Sequence, residues 1–208
     1  KLSDLRGRIR NPAFKNLLVL TYIFLLLFYK MFITGGELKG KRLKYPKGKI
    51  RPTERMVKLA IFSALGEKVK GSRVLDLFSG PGAMGIEALS RGAQEVYFVE
   101  SDKRNFSCLL ENIKGLKGCQ PIRRDVFKAL PSLKGEKFDL IFLDPPYCQG
   151  IVERVIEDIV RLDLLTDEGI IVAEHHKKEE MKLPLALKIA KNKVYGETEI
   201  TFLKKERK

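Results

Sequence analysis

Apolar runs of strand length recur along this chain, each closed by a turn and most followed by a stretch of helical spacing. Val74-Leu75-Asp76-Leu77-Phe78 is one such run; glycine and proline end it, and a helical pattern begins at Ile86-Glu87-Ala88-Leu89. Glu95 to Glu100 reads as a second strand, the shorter Pro121-Ile122-Arg123-Arg124 as a third, and Phe138 to Leu143 as a fourth. Helical periodicity from Ile151 to Leu162 separates that strand from Ile170-Ile171-Val172-Ala173-Glu174. Leu187 to Ala190 and Thr198 to Leu203, around Tyr195-Gly196, predict a closing hairpin. Upstream, a helix is expected over Glu54 to Leu65, and the glycines among Leu38, Leu43 and Tyr45 suggest a small β-hairpin. Strands alternating with helices predict an α/β fold built on a doubly wound, mostly parallel sheet, whose ligands sit at the carboxyl ends of the strands.

Four residues at one such end carry the most chemistry. Asp144-Pro145-Pro146-Tyr147 follows the run Phe138 to Leu143 directly. Each proline fixes φ and removes a backbone N–H, so the chain leaves the sheet in a stiff, extended form. The Asp144 carboxylate and the Pro145 carbonyl are then two acceptors side by side, matched to the two N–H donors of an exocyclic amine on a base. The lone pair of such an amine is delocalised into the ring. Holding both hydrogens favours the pyramidal geometry from which it can attack an electrophile, so this site would work by positioning and electrostatics. Tyr147 can stack on the base, a contact worth roughly 1–3 kcal/mol. A stiff turn with Tyr147 as a packing residue is the alternative.

The turn after the first strand points to a nucleotide-like cofactor. Gly80, Gly82 and Gly85 have G-x-G-x-x-G spacing between a strand and a helix; Gly80 and Gly82 would let a ligand approach the backbone, and Gly85 would let the helix pack near the strand. Alone, that spacing suits a nicotinamide or flavin dinucleotide equally well. Glu100 at the end of the second strand is placed for ribose hydroxyls in either class, and Asp125 for an adenine.

Together, Asp76 to Gly85, Glu100, Asp125 and Asp144 to Tyr147 resemble the ordered motifs of the S-adenosylmethionine-dependent amino-methyltransferases. More narrowly, Gly36-Glu37-Leu38-Lys39-Gly40-Lys41-Arg42-Leu43, Arg51-Pro52-Thr53, Asp76 to Gly80 and Glu87-Ala88-Leu89-Ser90-Arg91-Gly92-Ala93 resemble the RsmD family of 16S ribosomal RNA guanine-N2 methyltransferases. The likeness runs from Met31 to the C-terminus. It implies a Rossmann-like class I methyltransferase fold, with a seven-stranded sheet and an antiparallel C-terminal hairpin. It implies S-adenosylmethionine as cofactor, S-adenosylhomocysteine as product and no metal. In that likeness Asp76, Phe78, Ser79, Gly80 and Gly82 line the methionine part, Glu100 holds the ribose, and Asp125 with Val126 frames the adenine. Asp144 and Pro145 orient the guanine amine, Pro146 stiffens the turn, and Tyr147 stacks on the base. Arg51 and Thr53 flank the cofactor or the RNA. Pro81 departs from the small polar residue of many relatives.

Charge agrees with an RNA partner. The chain of 208 residues carries a formal +14, and Lys39, Lys41, Arg42, Lys44, Lys47, Lys49, Arg51, Arg55 and Lys58 crowd one segment. Such density suits phosphate contacts and salt-sensitive binding, with Lys39, Lys41 and Arg42 expected to lead. The expected division is an extension over residues 1–30, a basic hairpin over 31–50 and a methyltransferase domain over 51–208. Asn16 to Tyr29 is uncharged and apolar but shorter than the roughly 20 residues that a membrane span needs. Because the family likeness begins at Met31, that residue is read as the natural start, with a membrane anchor as the alternative. Cys108, Cys119 and Cys148 form no C-x-x-C pair, which suits a reducing, cytoplasmic setting, and Cys148 is read as a wall of the active site. His175 and His176, on opposite strand faces, are read as surface or rim residues that cannot form a metal pair. A monomer is expected, acting on 16S RNA in a partly or fully assembled small subunit.

Two other activities fit parts of the pattern. Methylation of adenine N6 would use the same Asp144 to Tyr147 grip, although so short a chain has no separate target-recognition domain. A nicotinamide-dependent oxidoreductase, or a silent RNA-binding protein, would leave that grip without a role.

Overall fold

A computed structural model describes residues 32–46, 53–146, 150–179 and 181–206, with only the backbone at 53 and 54. The expectations for residues 1–30, Met31, Arg51, Tyr147, Cys148 and the Thr53 side chain lie outside the described residues.

Helix α1 (Thr53–Leu65) leads into β1 (Arg73–Leu77), α2 (Ala83–Ser90), β2 (Glu95–Glu100), α3 (Lys103–Ile113) and β3 (Cys119–Arg123). The chain then returns through the short α4 (Val126–Ala129) to β4 (Phe138–Leu143), α5 (Ile151–Arg161), β5 (Leu165–His176), β6 (Leu187–Tyr195) and β7 (Thr198–Lys205). The sheet order is β3-β2-β1-β4-β5-β7-β6, with β7 antiparallel to both of its neighbours and the first five strands parallel. Winding therefore reverses between β1 and β4, the place where sheets of this kind open a crevice for ligands.

Side chains alternate across the sheet, so each strand divides its residues between two cores. Val74, Val96, Phe98, Leu140, Phe142, Ile170 and Val172 meet Val57, Ile61 and Phe62 of α1, Ile86 of α2 and Leu109 of α3. Leu75, Leu77, Ile141, Leu143, Ile171 and Ala173 face the other way, onto Val152, Val155, Ile156 and Ile159 of α5. The same period places Asp76, next to Phe142 in register, on the α1–α3 side of the sheet.

Three expectations change. The N-terminal hairpin reduces to one bridge, Phe32↔Arg42. Ile33 N–H still donates to the Lys41 carbonyl and Gly40 N–H to the Ile33 carbonyl, while the turn docks on α2, with Glu37 N–H donating to the Ser90 carbonyl, Leu38 N–H to Ser90 Oγ, and Ser90 Oγ to the Gly35 carbonyl. Strand β5 begins five residues early, at Leu165, because a register shift between Phe138 and Leu140 lets polar Thr166 to Glu168 continue it. His175 is buried rather than on a rim: its Nε2 lies 2.9 Å from Thr201 Oγ1 and ties the end of β5 to β7. Among the described residues no helix is long and apolar enough to cross a membrane.

Candidate active site

The turn after β1 is held by hydrogen bonds that converge on two acids. Phe78 adopts φ 58°, a left-handed conformation costing a non-glycine residue about 1–3 kcal/mol. From there Ser79 N–H donates to the Val99 carbonyl at 3.0 Å and Gly80 N–H to Glu100 Oε2 at 2.8 Å. The other Glu100 oxygen accepts from Asp102 N–H at 2.7 Å, so this carboxylate joins the ends of β1 and β2. Asp76 accepts from Gly85 N–H at 2.8 Å, in the first turn of α2. A Cβ at Gly85 would lie 2.3 Å from the Phe98 ring, so only glycine lets α2 settle this close to β2.

A cavity of about 270 Å³ opens at the strand ends beside this turn. Asp76, Phe78, Ser79, Gly80 and Pro81 form its floor; Asp144 and Glu174 enter from β4 and β5, Lys58 from α1, and Tyr45 with Pro46 from the first segment. Asp76 is 3% exposed, and burial pushes its carboxyl up to about 7, against the pull of the Gly85 N–H and with a further push from Glu100. Ser79 Oγ is buried without a hydrogen-bond partner among the described residues. The Asp76 carboxyl and the unsatisfied Ser79 hydroxyl suit a ligand that brings positive charge and polar hydrogens, as the ammonium of S-adenosylmethionine would.

One wall is fixed by a buried ionic cluster. Glu87 of α2 is fully buried and its carboxylate meets Lys58 Nζ at 2.9 Å, Thr34 N–H at 2.8 Å, Thr34 Oγ1 at 2.6 Å and Arg91 Nε at 2.9 Å. Burial works to raise the Glu87 carboxyl, but Lys58 and Thr34 outweigh it and hold the group below its usual range. Lys58 also donates to the Phe32 carbonyl at 2.8 Å. The segment then continues to Lys44, whose N–H donates to Asn112 Oδ1 at 2.7 Å, and reaches Tyr45 at the cavity.

The expected residues separate into those the cavity gathers and those it does not. Asp76, Phe78, Ser79, Gly80 and Asp144 line it; Pro145 is buried and Pro146 exposed beside Asp144. Gly82 faces away, its Cβ position lying 2.5 Å from Leu109. Glu100 sits behind the turn it closes. Asp125 is exposed and caps α4 through Phe127 N–H at 3.1 Å, while Val126 is buried in the α5-side core. Lys39 lies in the turn bonded to Ser90, at the far end of α2, and a helix of eight residues separates its ends by about 12 Å. Arg42 stacks over Phe32 at 5.7 Å, and Lys41 is half-buried. Glu174, Lys58 and Tyr45 are cavity residues that motif reading misses. Among the described residues no cluster of His, Cys, Asp or Glu is placed to hold a metal ion.

Known proteins are similar to this chain in sequence and fold. The model of the family described as Conserved hypothetical protein 95 matches residues 31–204. A ribosomal RNA small subunit methyltransferase D from Buchnera aphidicola is 33% identical over 168 residues, covering 79% of this chain and 88% of the relative. The chain belongs to the RsmD family. A second relative of this RsmD-family chain, the putative rRNA methyltransferase YlbH of Bacillus subtilis, is 36% identical and covers 84% of the chain and 99% of its own length. Among solved structures, the putative methyltransferase yhhF from Escherichia coli superposes with a TM-score of 0.79 at 27% identity, over 86% of this chain and 99% of that one. The RsmD-family chain is thus a methyltransferase with the class I fold.

Proposed function

We propose that this chain methylates the exocyclic N2 amine of a guanine in 16S ribosomal RNA, with S-adenosylmethionine as donor. The observation that carries the reading is the meeting of Asp76, Ser79, Gly80 and Asp144 in one cavity at the β1/β4 switch point. Relatives named as small-subunit ribosomal RNA methyltransferases support the RNA. S-adenosylmethionine, when bound, supplies an electrophilic methyl group. Asp76 and Ser79 meet the polar methionine end, and Glu100 shapes the turn beneath the ribose. Asp144 and the Pro145 carbonyl hold the two amine hydrogens, turning the nitrogen lone pair toward the cofactor, and Tyr147 covers the base. Residues 31–50 contribute a basic surface and 51–208 the catalytic domain, acting in the cytoplasm on RNA within a partly or fully assembled small subunit.

Deleting the gene is expected to remove one N2-methylguanine from 16S RNA, as read by nuclease digestion and mass spectrometry, and the purified chain should restore it. An unaltered set of methylated guanines would overturn the proposal.

The Asp76 carboxyl gives binding a pH dependence. A cofactor ammonium favours the ionised carboxylate, whose population grows as pH rises through about 7. S-adenosylhomocysteine affinity, measured by calorimetry, should therefore increase across that range and level off above it. Asp76→Asn should bind more weakly and lose the slope. An equal slope in both proteins would remove Asp76 from the cofactor contact.

A further inference from the structure

We infer that Glu174 selects guanine by accepting the ring N1–H while Asp144 and the Pro145 carbonyl hold the neighbouring amine. The inference rests on the guanine reading above and assigns it a residue. Strands β4 and β5 pair in parallel as far as Leu143↔Ala173, so Asp144 and Glu174 come next on adjacent strands, where neighbours lie about 4.8 Å apart. Both follow Phe142 and Val172 by two residues and line the same cavity. The end of β5 is a firm platform: Glu174 pairs with Ile200 of β7, and the next residue, His175, is buried and bonded to Thr201. Glu174 itself is half-buried, where a carboxylate acts with less screening than in open solvent.

Base chemistry decides what such a pair of acids can accept. Guanine presents its amine and its N1–H as adjacent donors on one edge, and two ionised carboxyl groups are acceptors only. Adenine presents its amine beside an unprotonated N1, whose lone pair would face the Glu174 carboxylate. The grip at Asp144 fits either amine. Glu174 therefore supplies the discrimination that Asp144 lacks, on the order of ten- to a hundredfold for one well-placed base contact.

The test uses the full chain and small subunits reconstituted with either guanine or 2-aminopurine at the mapped target. The analogue keeps the amine and replaces the N1–H by an acceptor. Wild-type kcat/KM is expected to fall roughly ten- to a hundredfold on the analogue, whereas Glu174→Gln, whose amide can donate to that acceptor, brings the two substrates within about threefold. S-adenosylhomocysteine affinity should be the same in both proteins, showing an intact fold. An unchanged guanine-to-analogue ratio in Glu174→Gln, or no discrimination by the wild type, overturns the role of Glu174 while N2-methylguanine still forms. Absence of N2-methylguanine from the wild-type product sinks the guanine reading and this assignment with it.

Discussion

Asp144→Ala is expected to lower the rate of methyl transfer roughly a hundred- to a thousandfold, the range over which removal of one preorganised polar partner acts in enzyme sites. The amine it would hold is a weak nucleophile, so the loss falls on the chemical step. With Asp144 gone, the Pro145 carbonyl can still accept one hydrogen, and the amine can stay flat and conjugated with the ring. The proposed cofactor contacts lie on other elements: Asp76 and Ser79 line the cavity from β1 and its turn, with Glu100 closing that turn from β2. S-adenosylhomocysteine affinity should therefore stay within about threefold of wild type. Single-turnover methylation and calorimetry on the same preparations give both quantities. Turnover near the wild-type rate would refute the role of Asp144. A matching collapse of cofactor affinity would make it a structural residue instead.

How far this site is legible in the sequence depends on whether its parts are local. Asp76 lies within, and Asp144 directly follows, a nearly continuous apolar run of strand length, so their place at the strand ends follows from the sequence pattern alone. The doubly wound topology follows from strands alternating with helices, because parallel neighbours need helices between them. Glu174 also ends such a run, yet Ala173-Glu174-His175-His176 reads like any solvated strand end. Only its pairing next to β4 places it beside Asp144. Glycine spacing has a similar limit: Gly80 floors the cavity and Gly82 packs against Leu109, although both fit one fingerprint. The basic segment is the hardest to place. Its charges suggest RNA, but the Ser90 contacts that hold Lys39 away from the cavity span more than fifty residues of chain. Nothing in the hairpin-like glycines of 35–40 announces a partner so distant in sequence.

Glu87→Ala is expected to lower thermal stability by roughly 10 °C, about 3–5 kcal/mol in a chain of this size. The cause is the lysine left behind. Lys58 is 2% exposed, and burial already pulls its ammonium below the usual range, with Glu87 as the charge that opposes the pull. Without that carboxylate the remaining Lys58 acceptor among the described residues is the Phe32 carbonyl, a dipole in place of a charge. Thr34 would lose its two bonds to Glu87, leaving the Ser90 contacts and the Arg91 bond to Thr34 Oγ1 to hold the first segment on α2, so the Tyr45 and Pro46 wall should loosen and cofactor affinity should fall as well. A paired change separates the two causes. Lys58→Met with Glu87→Leu removes both charges, and apolar replacements of buried pairs are often neutral or stabilising. The double variant should therefore recover most of the melting temperature while the first segment, still lacking its Thr34 anchor, leaves cofactor binding weakened. Differential scanning calorimetry with and without S-adenosylhomocysteine reads both effects. If the double variant melts as low as Glu87→Ala, the loss comes from Thr34 and packing rather than from a stranded lysine.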